Sequence, residues 1–429
     1  MKKSIVWLIV VVVCLLVCRS WGQTAEDSLK EEVQGVKDRL EGVAENLNTL
    51  NTDVSQLKWF KFSGYLQARY EYNDSSKNKN VLDDFSKNYN AENFYIRRGR
   101  LKVTMQPAPS SKFVFYLDAS KNTVSLKEAY VELMKSHKRH TFTFTAGQFN
   151  YPFGYEIEYS SSKRDFPERS LAENKLFKGE RDRGVNFMWT APKYVRFNIG
   201  LVQGYGIDGD GKSAPSWYDP TDAKDVIARG KVSLGSLDFG LSGYWGKTSI
   251  PGTSAVAAKP GVSTWYDADG DQTIDPGEVT TTAPVAAVAA KQGFEKDKTR
   301  YGFDAQYYLD VLPLGGTGIR AETYFAKDYN KSVNADSLAR ETGWYLWLSQ
   351  NLGKKFATAV RYDYWDPNKD KNDDATGTLS LAAHYYWDNN VRITAAYDMP
   401  HLLRGKSTFS AVDNDLKDNR FTLQFQFVI

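Results

Sequence analysis

The chain has 429 residues, 55 Lys and Arg against 52 Asp and Glu, and two cysteines. Charge this evenly balanced provides no field of one sign, so a nucleic-acid partner is not expected. Beyond the N-terminus no apolar run approaches the roughly 20 residues a spanning helix needs, which excludes a helical membrane protein.

Residues 1–22 read as a secretory signal: Lys2 and Lys3, an apolar stretch from Ile5 to Val17, and a small-x-small site at Ser20-Trp21-Gly22. A membrane anchor would need a longer run, and a lipoprotein at Cys18 a smaller residue before it than Val17. Both cysteines, Cys14 and Cys18, fall in this segment. The mature chain therefore has formal charge near zero and no disulfide framework.

Residues 23–58 predict a coiled-coil stalk. Leu29, Val33, Val36, Leu40, Val43, Leu47, Leu50, Val54 and Leu57 alternate spacings of four and three over four heptads. A helix lying on a domain would show a wider apolar stripe. Gly35 and Gly42 sit on the outward face, where they weaken the helix without breaking the seam.

From Trp59 the period changes to two. Alternating segments near 60–72, 93–106, 112–120, 125–134, 140–149, 183–191, 194–203, 227–235, 237–247, 299–309, 317–326, 342–350, 356–365, 377–387, 391–398 and 420–429 make sixteen strands. Short connections alternate with long ones, among them 150–182 and 248–298; only 121–124 is short where a long one is due. The expected fold is all-β: a sixteen-stranded antiparallel transmembrane β-barrel, residues 59–429, preceded by the N-terminal α-helical coiled coil. Short turns would face the periplasm and long loops the outside. Both barrel ends then lie on the short-turn side, which puts the stalk in the periplasm. A soluble β-sandwich would not give every strand one apolar and one polar face in this manner.

FYIRRGRLKVTM (94–105), SLKEAYVEL (125–133) and above all AGQFNYPFGYE (146–156) with SSS and DFPERS (160–170) resemble the phosphate-selective porin O and P family. The resemblance implies a sixteen-stranded trimeric porin in outer-membrane lipid, passing small hydrophilic solutes through a water-filled channel, anions such as phosphate among them. It is also the ground for preferring three strands in the stalk. Loop 150–182, the third outer loop, is expected to form the constriction, with Pro152 and Gly154 turning it inward.

Strand parity points nine basic residues inward (Arg69, Arg98, Arg100, Lys102, Arg196, Lys231, Arg320, Arg361, Arg392). Nine acidic ones accompany them: Glu71, Asp118, Glu128, Glu132, Asp238, Asp304, Glu322, Asp363 and Asp398. Within the loop Lys163, Arg164 and Arg169 stand among acids such as Glu156 and Glu158. Such mixed charge suits either a transverse field or salt bridges that hold the loop. The run Arg98-x-Arg100-x-Lys102 is the one stretch without an adjacent acid and the first candidate for an anion path. Only weak anion preference is expected.

Asp267, Asp269, Asp271, Thr273, Asp275 and Glu278 occupy positions 1, 3, 5, 7, 9 and 12 of an EF-hand-like calcium loop, with Gln272 where glycine is usual. The flanks are not helical, and the rest of 248–298 reads as low-complexity. Calcium is expected here and no cofactor for transport. His137, His140, His384 and His401 are dispersed, and no catalytic set stands out, so an enzyme is not expected. Aromatic runs such as Trp344-Tyr345-Leu346-Trp347 and Tyr385-Tyr386-Trp387 read as interfacial girdles. The alternative to a channel is a barrel-anchored tether that binds partners through the stalk.

Overall fold

The computed structural model describes residues 30–50, 54, 58–73, 92–120, 123–177, 179–192, 194–207, 223–250, 254–255, 257–268, 270, 272–274, 277–290, 292–310, 313–329, 338–403 and 419–429, together with Val11. The signal segment otherwise lies outside them, as do Leu29 and Leu57 of the heptad pattern. The chain divides into two units, Met1–Lys61 and Phe62–Ile429.

In the first unit, α1 (30–50) is one continuous helix. Val33, Val36, Leu40, Val43, Leu47 and Leu50 form its stripe, and all are exposed, Leu40 by 66%. A side-chain hydrogen bond from Gln34 to Asp38 (2.9 Å) supports the polar face. No helix among the described residues is long and apolar enough to cross a membrane.

The second unit is a closed barrel of sixteen strands. Its first half comprises β1 (Phe60–Asn73), β2 (Glu92–Ala108), β3 (Ser111–Ser120), β4 (Thr123–His137), β5 (His140–Asn150), β6 (Arg181–Thr190), β7 (Val195–Val202) and β8 (Asp225–Leu234). β9 (Leu237–Ile250), β12 (Phe294–Leu309), β13 (Thr317–Tyr329), β14 (Leu338–Leu352), β15 (Phe356–Asp366), β16 (Ala375–Tyr386), β17 (Val391–Leu403) and β18 (Arg420–Val428) complete it. Every expected strand is present. β18 shows why the alternation holds: Phe425 and Phe427 stand exposed on the wall, while Thr422, Gln424 and Gln426 are buried inside. β18 pairs with β1 from Tyr65↔Val428 to Asn73↔Arg420, and Ile429 continues the closure, its N–H donating to Gly64 O at 2.9 Å. A closed ladder leaves no strand edge unpaired in lipid.

One element departs from expectation. Within 248–298, β10 (Val262–Trp265) and β11 (Val279–Thr282) form an antiparallel hairpin where a structureless stretch was read. The calcium-like loop is its connection. Strands of four residues bounded by Ala, Gly and Pro carry too little periodicity to be recognised.

Candidate functional site

β5 and β6 pair up to Asn150↔Arg181, and Tyr151 N–H donates to Glu180 O at 3.0 Å. The intervening loop thus leaves and returns through one narrow base. It turns inward at Gly154, whose φ of 60° is in the left-handed region and where a Cβ would meet Glu322 Oε1 at 2.1 Å. The Glu322 carboxylate on β13 accepts the Tyr155 and Glu156 N–H groups at 3.0 and 3.1 Å, which starts the single turn α2 (Tyr155–Glu158).

From there the loop crosses the lumen. Ser161 meets Tyr65 and Gln67 of β1. Ser162 O accepts from Gln426 (2.8 Å) and Arg392 (3.3 Å). Arg320 pairs with Asp165 at 3.2 Å. Glu168 receives Arg69, Arg97 and Arg98 at 2.6, 2.7 and 2.9 Å. Glu156 folds back on Ser170, accepting its hydroxyl at 2.7 Å, and lies 3.5 Å from Arg361. The loop then forms α3 (Leu171–Leu176), whose first N–H points to Asp363 at 3.5 Å.

Beneath these polar ties lies an apolar core inside the barrel. Phe153, Ile157, Phe166, Leu171, Leu176 and Phe177 pack against Tyr244, Tyr324, Tyr345, Trp347 and Trp365 of the wall. Phe153 and Phe177 have ring centroids 4.6 Å apart, Phe166 and Trp347 5.4 Å. This corrects the reading of Trp344–Trp347 as an interfacial girdle: Tyr345 and Trp347 face inward and are fully buried, and only their neighbours face out.

Most charges of the constriction are spent on one another. Arg100 pairs with Asp118 (2.9 Å), Lys102 with Glu128 (3.4 Å) and Arg98 with Glu168, so the 98-100-102 run is not free of acids as expected. Arg181 shares Glu128 at 3.0 Å, and Glu158 joins Arg196 and Arg229. Arg169 is buried and joins Glu173 (3.4 Å) and Glu180. Arg164 is also buried, and among the described residues no ion pair reaches it, while Lys163 is exposed. Of the two roles open to the loop charges, holding it in place is the one the geometry displays. On the short-turn side a cavity of about 430 Å³ remains, lined by Arg100, Lys102, Glu128, Glu158, Ser160 and Arg196 among others.

Two carboxyls in the loop are displaced in opposite directions. Burial pushes Glu173 up to about 7; Arg169 draws it back and Glu156 adds to the rise. Glu168, despite its own burial, is held well below the usual carboxylate range by Arg97, Arg98 and Arg69.

Sequence reasoning missed Arg97 and Arg229. Alternation assigns Arg97 to the outer face, yet both Arg97 and Arg98 reach Glu168. Arg229, fully buried on Asp304 at 2.6 Å, shares the parity of Lys231 and was readable. Of the calcium-like set, Asp269, Asp271 and Asp275 lie outside the described residues. Asp267 accepts the Gly270 and Gln272 N–H groups at 2.6 and 3.0 Å, and Gln272 has φ 63°, the left-handed conformation usually reserved for glycine there.

A sixteen-stranded barrel with the loop after its fifth strand folded into the lumen is the architecture of an outer-membrane channel of the porin class. The model of the family described as phosphate-selective porin O and P matches residues 65–429, and the chain belongs to that family. Among solved structures it is similar to the trimer form of OmpT of Vibrio cholerae (12% identity, 86% of this chain and 99% of that one, TM-score 0.50). It is likewise similar to the outer-membrane channel DcaP of Acinetobacter baumannii (10%, 86% and 97%, 0.52) and to an anion-selective porin from Comamonas acidovorans (10%, 86% and 99%, 0.51). At these identities the likeness is one of fold. No curated protein matches.

Proposed function

We propose that this protein is a constricted outer-membrane channel for small hydrophilic solutes, with weak preference for anions, phosphate among them. The observation that carries this reading is the loop between Tyr151 and Glu180, seated inside the barrel with Glu156, Glu158, Asp165 and Glu168 paired to wall arginines. Paired charge leaves little net field to discriminate ions. The trimer form of one structural neighbour and the exposed heptad stripe of α1 support a homotrimer, joined through barrel walls and a periplasmic coiled coil. Under a KCl gradient across a planar bilayer, the permeability ratio of chloride to potassium is expected at about 1–3, the range a largely compensated lumen allows. Protein lacking residues 24–57 should conduct alike. Strong phosphate selectivity would refute the weak preference, and loss of conductance with the stalk would favour the tether.

The ligand spacing of 267–278 supports a second proposal, that the hairpin tip binds calcium through Asp267, Asp269, Asp271, Thr273, Asp275 and Glu278. Isothermal titration of the refolded barrel should show calcium uptake that D269A abolishes; equal heats from both proteins would end the idea.

A further inference from the structure

The arrangement around Glu168 goes beyond a generic salt bridge. Two oxygens of one carboxylate receive three guanidinium groups from two adjacent strands, Arg97 in a two-pronged contact through Nε (2.7 Å) and Nη2 (3.1 Å). The preceding carbonyl, Pro167 O, accepts from Arg69 at 2.7 Å and Arg98 at 3.4 Å. Two further donors are taken, Arg69 Nε by Gln424 (2.7 Å) and Arg98 Nη1 by Gln67 (2.9 Å), while Arg98 Nε has no hydrogen-bond partner among the described residues. From behind, Arg361 donates to Glu168 O at 3.1 Å and fixes the backbone that presents the carboxylate.

This is the donor set of an oxyanion site, planar forks converging on two oxygens, with the anion supplied by the loop itself. Three guanidinium groups converge on this one carboxylate. Among the described residues Glu168 is the only acid in ion-pair range of Arg69 and Arg98. The nearby Glu71 is turned to Tyr95, whose hydroxyl it accepts at 2.8 Å. The clasp is not sealed, since the Arg97 side chain is 25% exposed.

We infer that Glu168 is a specificity-determining residue of the channel: a tethered counter-anion that fills the arginine clasp and keeps the permeability of the lumen nearly balanced. The inference rests on the channel reading above. A dissolved anion reaching this level meets an occupied site. With the carboxylate neutralised, the three guanidinium groups face the lumen, attract anions and repel cations.

The test is reversal potential and chloride current of the full-length protein in planar bilayers. E168Q is expected to raise the chloride-to-potassium permeability ratio about fivefold, since one unit charge within a few ångströms of the path acts oppositely on the two ions. It should also acquire a saturable, millimolar block of chloride current by inorganic phosphate, absent from the wild type. E168D restores the charge on a shorter stem and should recover most of the wild-type ratio. R97Q, altering the most exposed arm, should shift the ratio toward potassium, and it decides the matter if E168Q fails to assemble. Wild-type selectivity in E168Q, an E168D shift as large as that of E168Q, or no shift in R97Q would each overturn the inference. A wild type that does not conduct would instead overturn the channel reading.

Discussion

Replacing residues 152–179 by an Asn-Gly turn is expected to raise single-channel conductance about threefold or more, since an unobstructed barrel of sixteen strands encloses an aqueous channel. The cut is geometrically mild. Tyr151 and Glu180 are already hydrogen bonded across the base, and β5 and β6 run in register up to it, so a two-residue type I′ turn closes the hairpin. Deletion removes Phe153, Ile157, Phe166, Leu171, Leu176 and Phe177 and leaves Tyr324, Tyr345 and Trp347 facing water. That loss weakens the barrel at about 25 cal/mol per Å² of apolar surface re-exposed. The ladder of sixteen strands remains, as do the wall-to-wall ion pairs Arg229–Asp304 and Arg420–Asp398. Heat-modifiable electrophoretic migration would report assembly. An assembled barrel with wild-type conductance would mean that the loop is not the constriction.

The strands were legible because lipid outside and polar groups inside impose one face each on every residue. Where that constraint ends, legibility ends too. β12 begins at Phe294 and not near 299 because its ladder to β9 continues through Glu295, Lys296 and Asp297, whose charges obscure the alternation. The place of the loop was readable from Pro152 and Gly154 between the fifth and sixth strands. Its seating was not. Glu168 lies 70 to 99 residues from the arginines that hold it, and a loop without a period carries no register to foretell such pairs. Arg97 was lost for a related reason: two consecutive arginines both reach one carboxylate, which strict alternation forbids. The inward Tyr345 and Trp347 were misassigned because an aromatic at a strand end usually belongs to the interface; only the seated loop makes an apolar interior tenable in a water-filled barrel. Sequence therefore defines the container well and the contents poorly.

Channel conductance should rise as pH increases from about 5 to 8, and E173Q should lessen that dependence. The Glu173 carboxyl is fully buried in the seated loop, neither oxygen has a hydrogen-bond partner, and its ion pair with Arg169 is a loose 3.4 Å. Arg164, Arg181 and Glu156 also act on it, the two arginines favouring ionisation and Glu156 opposing it. Burial wins, and the group moves from an ordinary 4.5 to about 7. The seated loop thus binds a proton that a released loop surrenders. Its stability from this group is complete below about 4.5 and declines as pH rises to about 7, by about 3 kcal/mol in all. Glu168 has the opposite sign: held low by its three arginines, it stabilises the seated loop above about 4.5 and fails as pH falls further. The loop is therefore tightest near pH 4.5 and looser on either side, for two separate reasons. E173Q removes this carboxyl, so it should lessen the climb in conductance above pH 5 while keeping the acid-induced rise. Conductance recorded across pH 3–8 on both proteins separates the two limbs. A flat wild-type profile, or an E173Q profile that climbs above pH 5 as steeply as the wild type, would show that the buried carboxyl does not govern the seating of the loop.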